Sequence, residues 1–158
     1  MAKRALLLFA VSGCVGMGIT SGPVAAPIDH SPVGVEVRGF GGYHSSDYAL
    51  PNTFGFAVRQ IGDAHTESAL QVGWMAATHA GQALLFGRLM FDTIAWQKQM
   101  DGSTKLSALS PTLDLGVAPW RHGICFTAGA TWDIHYDAPD QLIVGGFVGL
   151  CGDTDKLH

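Results

Sequence analysis

Charge is what this sequence has least of. Only 14% of its 158 residues are Asp, Glu, Lys or Arg, where soluble domains usually carry about 25%. The 9 basic residues form no cluster and the formal net charge is −4, so no surface is set up to neutralise phosphates, and nucleic-acid binding is not expected. Past the N-terminus no run reaches the roughly 18 to 20 apolar residues of a spanning helix. From Pro32 onward no helical periodicity persists over a helix length. Sequence signatures of chemistry are missing as well: there is no G-x-S-x-G elbow, P-loop, dinucleotide fingerprint or Cys-x-x-Cys pair. The 7 histidines show no i, i+2 or i, i+4 pair, so no metal or cofactor site is expected. Disorder is excluded by a hydrophobic content of 47% with so few charges.

What is present begins with an export signal. Ala2-Lys3-Arg4 is a short basic region and Ala5–Val11 an apolar one. Two processing readings stay open. Val11-Ser12-Gly13-Cys14 matches a lipobox, which makes Cys14 the candidate for lipidation. Alternatively the apolar run continues to Ile19 and a cut falls near Val24-Ala25-Ala26. Residues 1–26 are thus read as leader and 27–158 as a single β-domain. Loss of Lys3 and Arg4 leaves 7 basic against 13 acidic residues, a balance near −6. An exported domain permits disulfides, and Cys125 and Cys151 remain as an even pair.

Period-two alternation punctuated by turn residues marks strands over 33–43, 54–62, 68–78, 82–98, 103–118, 123–136 and 141–151. The connections are too short for crossover helices, so neighbours pair antiparallel. Asp101-Gly102 suits a type I′ turn, and Ser110-Pro111 is expected to break a strand or mark a bulge. The fold class is therefore all-β: an antiparallel up-and-down meander. Centring the last turn on Ala138 sets Cys125 opposite Cys151, close enough for a disulfide.

The two faces of these strands differ sharply. One carries Val33, Val35 and Val37, then Phe54, Phe56 and Val58, then Leu70, Val72 and Trp74, then Leu85, Leu89 and Phe91, then Leu113, Leu115 and Val117. The opposite face carries Glu36, Arg38, Arg59, Arg88, Asp92, Asp114 and Asp133, separated by small residues such as Gly34, Gly55, Gly116, Gly129 and Gly149. A solvated sheet face would hold many charges and few glycines, since glycine weakens strands. A glycine-rich face with a few balanced charges suits a narrow barrel interior, where charges must pair. The apolar face then meets lipid, with Tyr43, Trp96, Trp120 and Tyr136 near strand ends as anchors.

Over residues 33–151 this pattern resembles the small bacterial outer-membrane β-barrels of about eight strands. The resemblance implies a closed barrel at the outer membrane of a Gram-negative cell envelope. Seven strands are counted, whereas bacterial single-chain barrels have an even number, so the barrel is expected to have seven or eight. The resulting expectation is a non-catalytic structural or surface-interaction protein, with Tyr43–Thr53 as its exposed recognition loop. The seven charged residues above would form a network in the lumen. Its partner is membrane lipid, against the barrel exterior or through an acyl anchor. A lipid-tethered soluble β-barrel holding a small apolar ligand is the alternative. An envelope-lipid hydrolase is a third reading, using Thr131, Asp133 and His135 on one strand face, or His44-Ser45-Ser46-Asp47 in the loop.

Overall fold

The structure is a computed structural model that describes residues 14–26, 33–43, 50–61, 65–98, 104–107, 110–120, 122–134 and 140–152. The described residues form nine strand segments: β1 (Cys14–Ala25), β2 (Gly34–Tyr43), β3 (Thr53–Ile61), β4 (His65–Ala80), β5 (Ala83–Lys98), β6 (Thr104–Ser107), β7 (Pro111–Ala118), β8 (His122–Asp133) and β9 (Gln141–Gly152). All pairings are antiparallel and follow chain order, and β1 also pairs with β9, so the sheet closes on itself.

Both β6 and β7 pair with β5 in one continuous register. Ala95 faces Ser107, Phe91 faces Pro111, and between them the Asp92 N–H donates to the Ser110 carbonyl at 3.2 Å. They therefore occupy one place in the wall, interrupted beside a proline that has no N–H to give the ladder. The result is a closed barrel of eight strands.

The eighth strand comes from an unforeseen place. Gly16-Met17-Gly18-Ile19-Thr20, which continues the apolar run of the leader reading, lies in β1 between β2 and β9. Small residues alternating with apolar ones fit a leader and a strand equally well. Here Met17 and Ile19 point outward, at 39% and 50% exposure, while Thr20 and Val24 are buried.

A bulge interrupts β5. Leu70 faces Ile94 but Gln71 faces Asp92, so Thr93 is an extra residue, and its hydroxyl donates to the Leu70 carbonyl at 3.0 Å. Inward positions run Leu84, Phe86, Arg88, Met90 and Asp92 before the bulge, then pass to Ala95. Without it Trp96 would point into the lumen; with it Trp96 points outward. The β4–β5 turn is Gly81-Gln82, with Gly81 at φ 66°, a conformation that favours glycine. The Asp101-Gly102 turn and Tyr136 lie outside the described residues.

The last hairpin differs from expectation by two residues. Cys125 faces Gly149, Cys151 faces Gly123, and the turn centres on Asp137. A shift of two keeps every side chain on its face, so Cys125 and Cys151 remain inside as diagonal neighbours. Their Cα atoms are 5.6 Å apart and they form a disulfide.

Two apolar clusters fill parts of the interior. Phe40, Met75, Leu84, Phe86, Ala118 and the disulfide form one, at the end holding the start of β1, the Gly81-Gln82 turn and the end of β9. Val24, Ile143 and Phe147 form the other, with Ile61 against them. Replacing Cys125 and Cys151 together by serine should lower stability by roughly 3 to 4 kcal/mol, the chain-entropy value for a loop of this size. Urea unfolding in detergent micelles measures it, and an unchanged midpoint would show that the bridge is idle.

Candidate functional site

The charged residues of the inward face meet in the barrel interior. Glu36, Arg38, Arg59, Arg88, Asp92, Asp114 and Asp133 are each buried to 3% exposure or less. They come from β2, β3, β5, β7 and β8, and the register places them side by side: Glu36 faces Arg59 across β2–β3, and Arg88 faces Asp114 across β5–β7.

Arg38 is the most fully bound of them. Its Nε donates to Glu36 Oε1 at 2.7 Å and its Nη2 to Glu36 Oε2 at 3.1 Å, a bidentate clamp on a side chain two residues away. Nη2 also donates to Thr131 Oγ1 at 3.3 Å, and Nη1 to Asp114 Oδ1. Asp114 in turn accepts from Arg88 Nη2 at 2.9 Å, so one carboxylate bridges two guanidinium groups. Gly129 lies opposite Asp114. A Cβ there would run into the Asp114 carboxylate and approach Arg38 Nη1 to 2.9 Å, so this glycine makes room for the pair.

The arginines also lie against aromatic rings. Arg88 stacks over Phe40 at 3.7 Å and Arg38 over Phe147 at 4.2 Å. Each apolar cluster thus ends against a guanidinium face, which an aromatic ring attracts.

Arg59 sits differently. Its guanidinium lies 3.8 Å from Glu36, 3.9 Å from Glu67 and 3.6 Å from Asp92, held by charge without a hydrogen bond. Gln71 Nε2 donates to Asp92 Oδ1 at 2.8 Å. The Ser110 hydroxyl donates to Asp133 Oδ1 at 3.0 Å and accepts from the Ile134 N–H at 3.2 Å, which ties the strand break to β8. Glu67 and Gln71 belong to this group and were missed. β4 begins at His65, ahead of the expected Ser68, and running the same parity back two residues puts Glu67 on the inward face. Five acids then meet three arginines inside the barrel.

Other candidates fare differently. Thr131 and Asp133 are buried, but Thr131 is engaged by Arg38 and by the Thr112 hydroxyl at 2.9 Å, and Asp133 by Ser110. His135 and His44-Ser45-Ser46-Asp47 lie outside the described residues. Cys14 opens β1 opposite Tyr43. Of the expected recognition loop, Leu50 is exposed at 64% and Pro51 half-buried, while Asn52 and Thr53 are buried. The Asn52 side chain donates to the Met75 carbonyl at 3.1 Å and accepts from the Met75 N–H at 2.7 Å, continuing the ladder along β4. Among the described residues no group of His, Cys, Asp and Glu is arranged to hold a metal ion.

No family model and no curated protein matches the chain. Among solved structures it is similar to the crystal structure of Neisserial surface protein A (NspA), with a TM-score of 0.60 and 13% sequence identity, over 90% of this chain and 97% of that one. The likeness is one of fold.

Arg88→Glu should cost roughly 3 to 5 kcal/mol, the scale for leaving a buried partner unpaired, measured by chemical unfolding in micelles. A loss under about 1 kcal/mol, as for an exposed pair, would mean that these charges are solvated. Arg59→Met should be similarly costly. Adding Glu67→Gln should restore part of the loss, and strict additivity of the two changes would show that Arg59 and Glu67 do not interact.

Proposed function

We propose that this protein is a small outer-membrane β-barrel with a structural or surface-interaction role and a closed lumen. The observation that carries this reading is the inversion of its faces. Val35, Phe54, Leu113, Leu115 and Leu150 stand at 56–65% exposure around the wall, while the arginines and carboxylates are inside. An exposed apolar belt this extensive is foreign to a soluble monomer and is what a membrane barrel turns to lipid. Trp96 and Trp120, at 38% and 58% exposure, serve as interface anchors. The similarity in fold to a neisserial surface protein supports the same reading. A soluble ligand-binding barrel would need the reverse arrangement, an apolar interior beneath a polar surface.

Where the leader ends follows from closure. A cut near Ala26 would remove β1 and leave β2 and β9 as open edges, which a membrane does not tolerate. A cut before Cys14 keeps the whole strand. On this reading the mature chain keeps β1, and a cut before Cys14 is compatible with the barrel. The connection between Tyr43 and Thr53 is the longest between consecutive strands and remains the recognition loop of this reading.

Expression of the full chain in a Gram-negative host, followed by fractionation, tests the location. A membrane-bound band whose gel mobility shifts on boiling is expected; a soluble monomer would refute the reading. Intact mass of the purified protein should give a mature N-terminus at or before Cys14, and a chain starting at residue 27 would overturn that boundary. In planar bilayers the wild type should be silent, and steady unitary conductance would contradict a closed lumen.

A further inference from the structure

The outward wall has several places where its belt of large side chains gives way to small residues, and the widest recess lies over β2. On β2 the outward positions read Val35, Val37, Gly39, Gly41. Over the two glycines lies a cleft of about 700 Å³, walled by Met17 and Ile19 of β1 and Phe54 and Phe56 of β3. Every side chain lining it is apolar.

The two floor glycines have different reasons. A Cβ at Gly39 would strike the Phe56 ring, so glycine there lets the ring lie flat across β2. Gly41 has no such reason. A Cβ there would meet nothing within 4 Å, and its φ is not positive. Glycine weakens a strand interior and has no side chain to pack, so a lipid-facing strand gains nothing from Gly41 within its own fold. What Gly41 does is keep the cleft floor open.

We infer that this cleft holds one hydrocarbon chain of a membrane lipid. The inference rests on the outer-membrane reading and adds to it a binding site. The walls Met17, Ile19, Phe54 and Phe56 are themselves members of the lipid-facing belt, so the cleft is continuous with that interface and opens onto hydrocarbon. An apolar recess does not hold water, and an unfilled one forfeits the dispersion contacts of its lining. A single flexible chain enters such a recess. The cleft lies toward the end holding the start of β1 and the end of β9.

The test uses the full-length barrel, reconstituted in vesicles of dioleoyl phosphatidylethanolamine, then released into mild detergent and examined by native mass spectrometry. Gly41→Leu fills the cleft without striking protein atoms at its Cβ. Gly146 also has open space at its Cβ but lies outside the cleft, so Gly146→Leu is the matched control. Wild type and Gly146→Leu should retain one more phospholipid per barrel than Gly41→Leu at equal activation energy. Equal retention by all three would overturn the inference. So would a dimer in the wild type that Gly41→Leu abolishes, which would assign the cleft to a second copy. If Gly41→Leu does not fold, Phe54→Ala carries the test by removing a wall; it should lose the lipid, and retention would count against the site. Heat-modifiable mobility and membrane fractionation are read on every variant. A chain that is soluble throughout defeats the outer-membrane reading, whereas a membrane-bound barrel with unchanged lipid defeats only the cleft.

Discussion

Three guanidinium groups inside a narrow closed sheet set the terms for this structure. An arginine cannot be deprotonated to escape burial, and a buried charge left unpaired costs roughly 3 to 5 kcal/mol, a large share of the stability of a domain this size. Each must therefore find carboxylates, most of which arrive from other strands. Arg38 takes Glu36 from its own strand and Asp114 from β7; Asp114 reaches on to Arg88 of β5. These bonds are possible only in one register of the wall. The glycines of the inward face follow from the same demand, since the guanidinium groups need the volume that side chains would otherwise take. Gly129 beside the Arg38–Asp114 pair is the clearest instance.

The division of polarity follows as well. With charge satisfied inside, the outer surface is free to be apolar, and the core of this protein is a network of ions and hydrogen bonds bounded by two small apolar clusters. Such a core resists the substitutions that ordinary cores accept. Adding or removing one methyl group matters less here than adding or removing one charge, because each ion's solvation is supplied by its neighbours. Arg59, held by three carboxylates at 3.6 to 3.9 Å without a hydrogen bond, is the least tightly fixed member.

Much of this was legible because side chains in strands alternate with a period of two. Parity alone assigned Val35, Phe56, Leu89 and Leu115 to one face and Glu36, Arg59, Arg88 and Asp114 to the other. Parity also survived the error in the last hairpin, whose turn is one residue displaced: the partners changed and the faces did not. The readings that failed are those where parity is silent or broken. Gly16–Thr20 has the composition of a leader and of a strand, and only closure between β2 and β9 tells them apart. The Thr93 bulge reverses parity within β5 and leaves no mark in sequence, although Trp96, expected outward, is outward because of it. Glu67 was missed because the strand was started too late, and the role of Asn52 depends on Met75, which is distant in the chain.

The pairing of β1 with β9 has a consequence in time. These strands lie at opposite ends of the described chain, yet Ile19 faces Leu150 and Thr20 faces Gly149. Every other neighbour in the wall can be found locally, by a hairpin folding back on itself. This seam cannot form until the last strand exists, and loop closure over such a distance is entropically slow. Until then the chain carries two unpaired edges and a greasy outer surface, a combination that invites aggregation. The two edges therefore have to be kept from other chains until the last strand arrives to pair with the first.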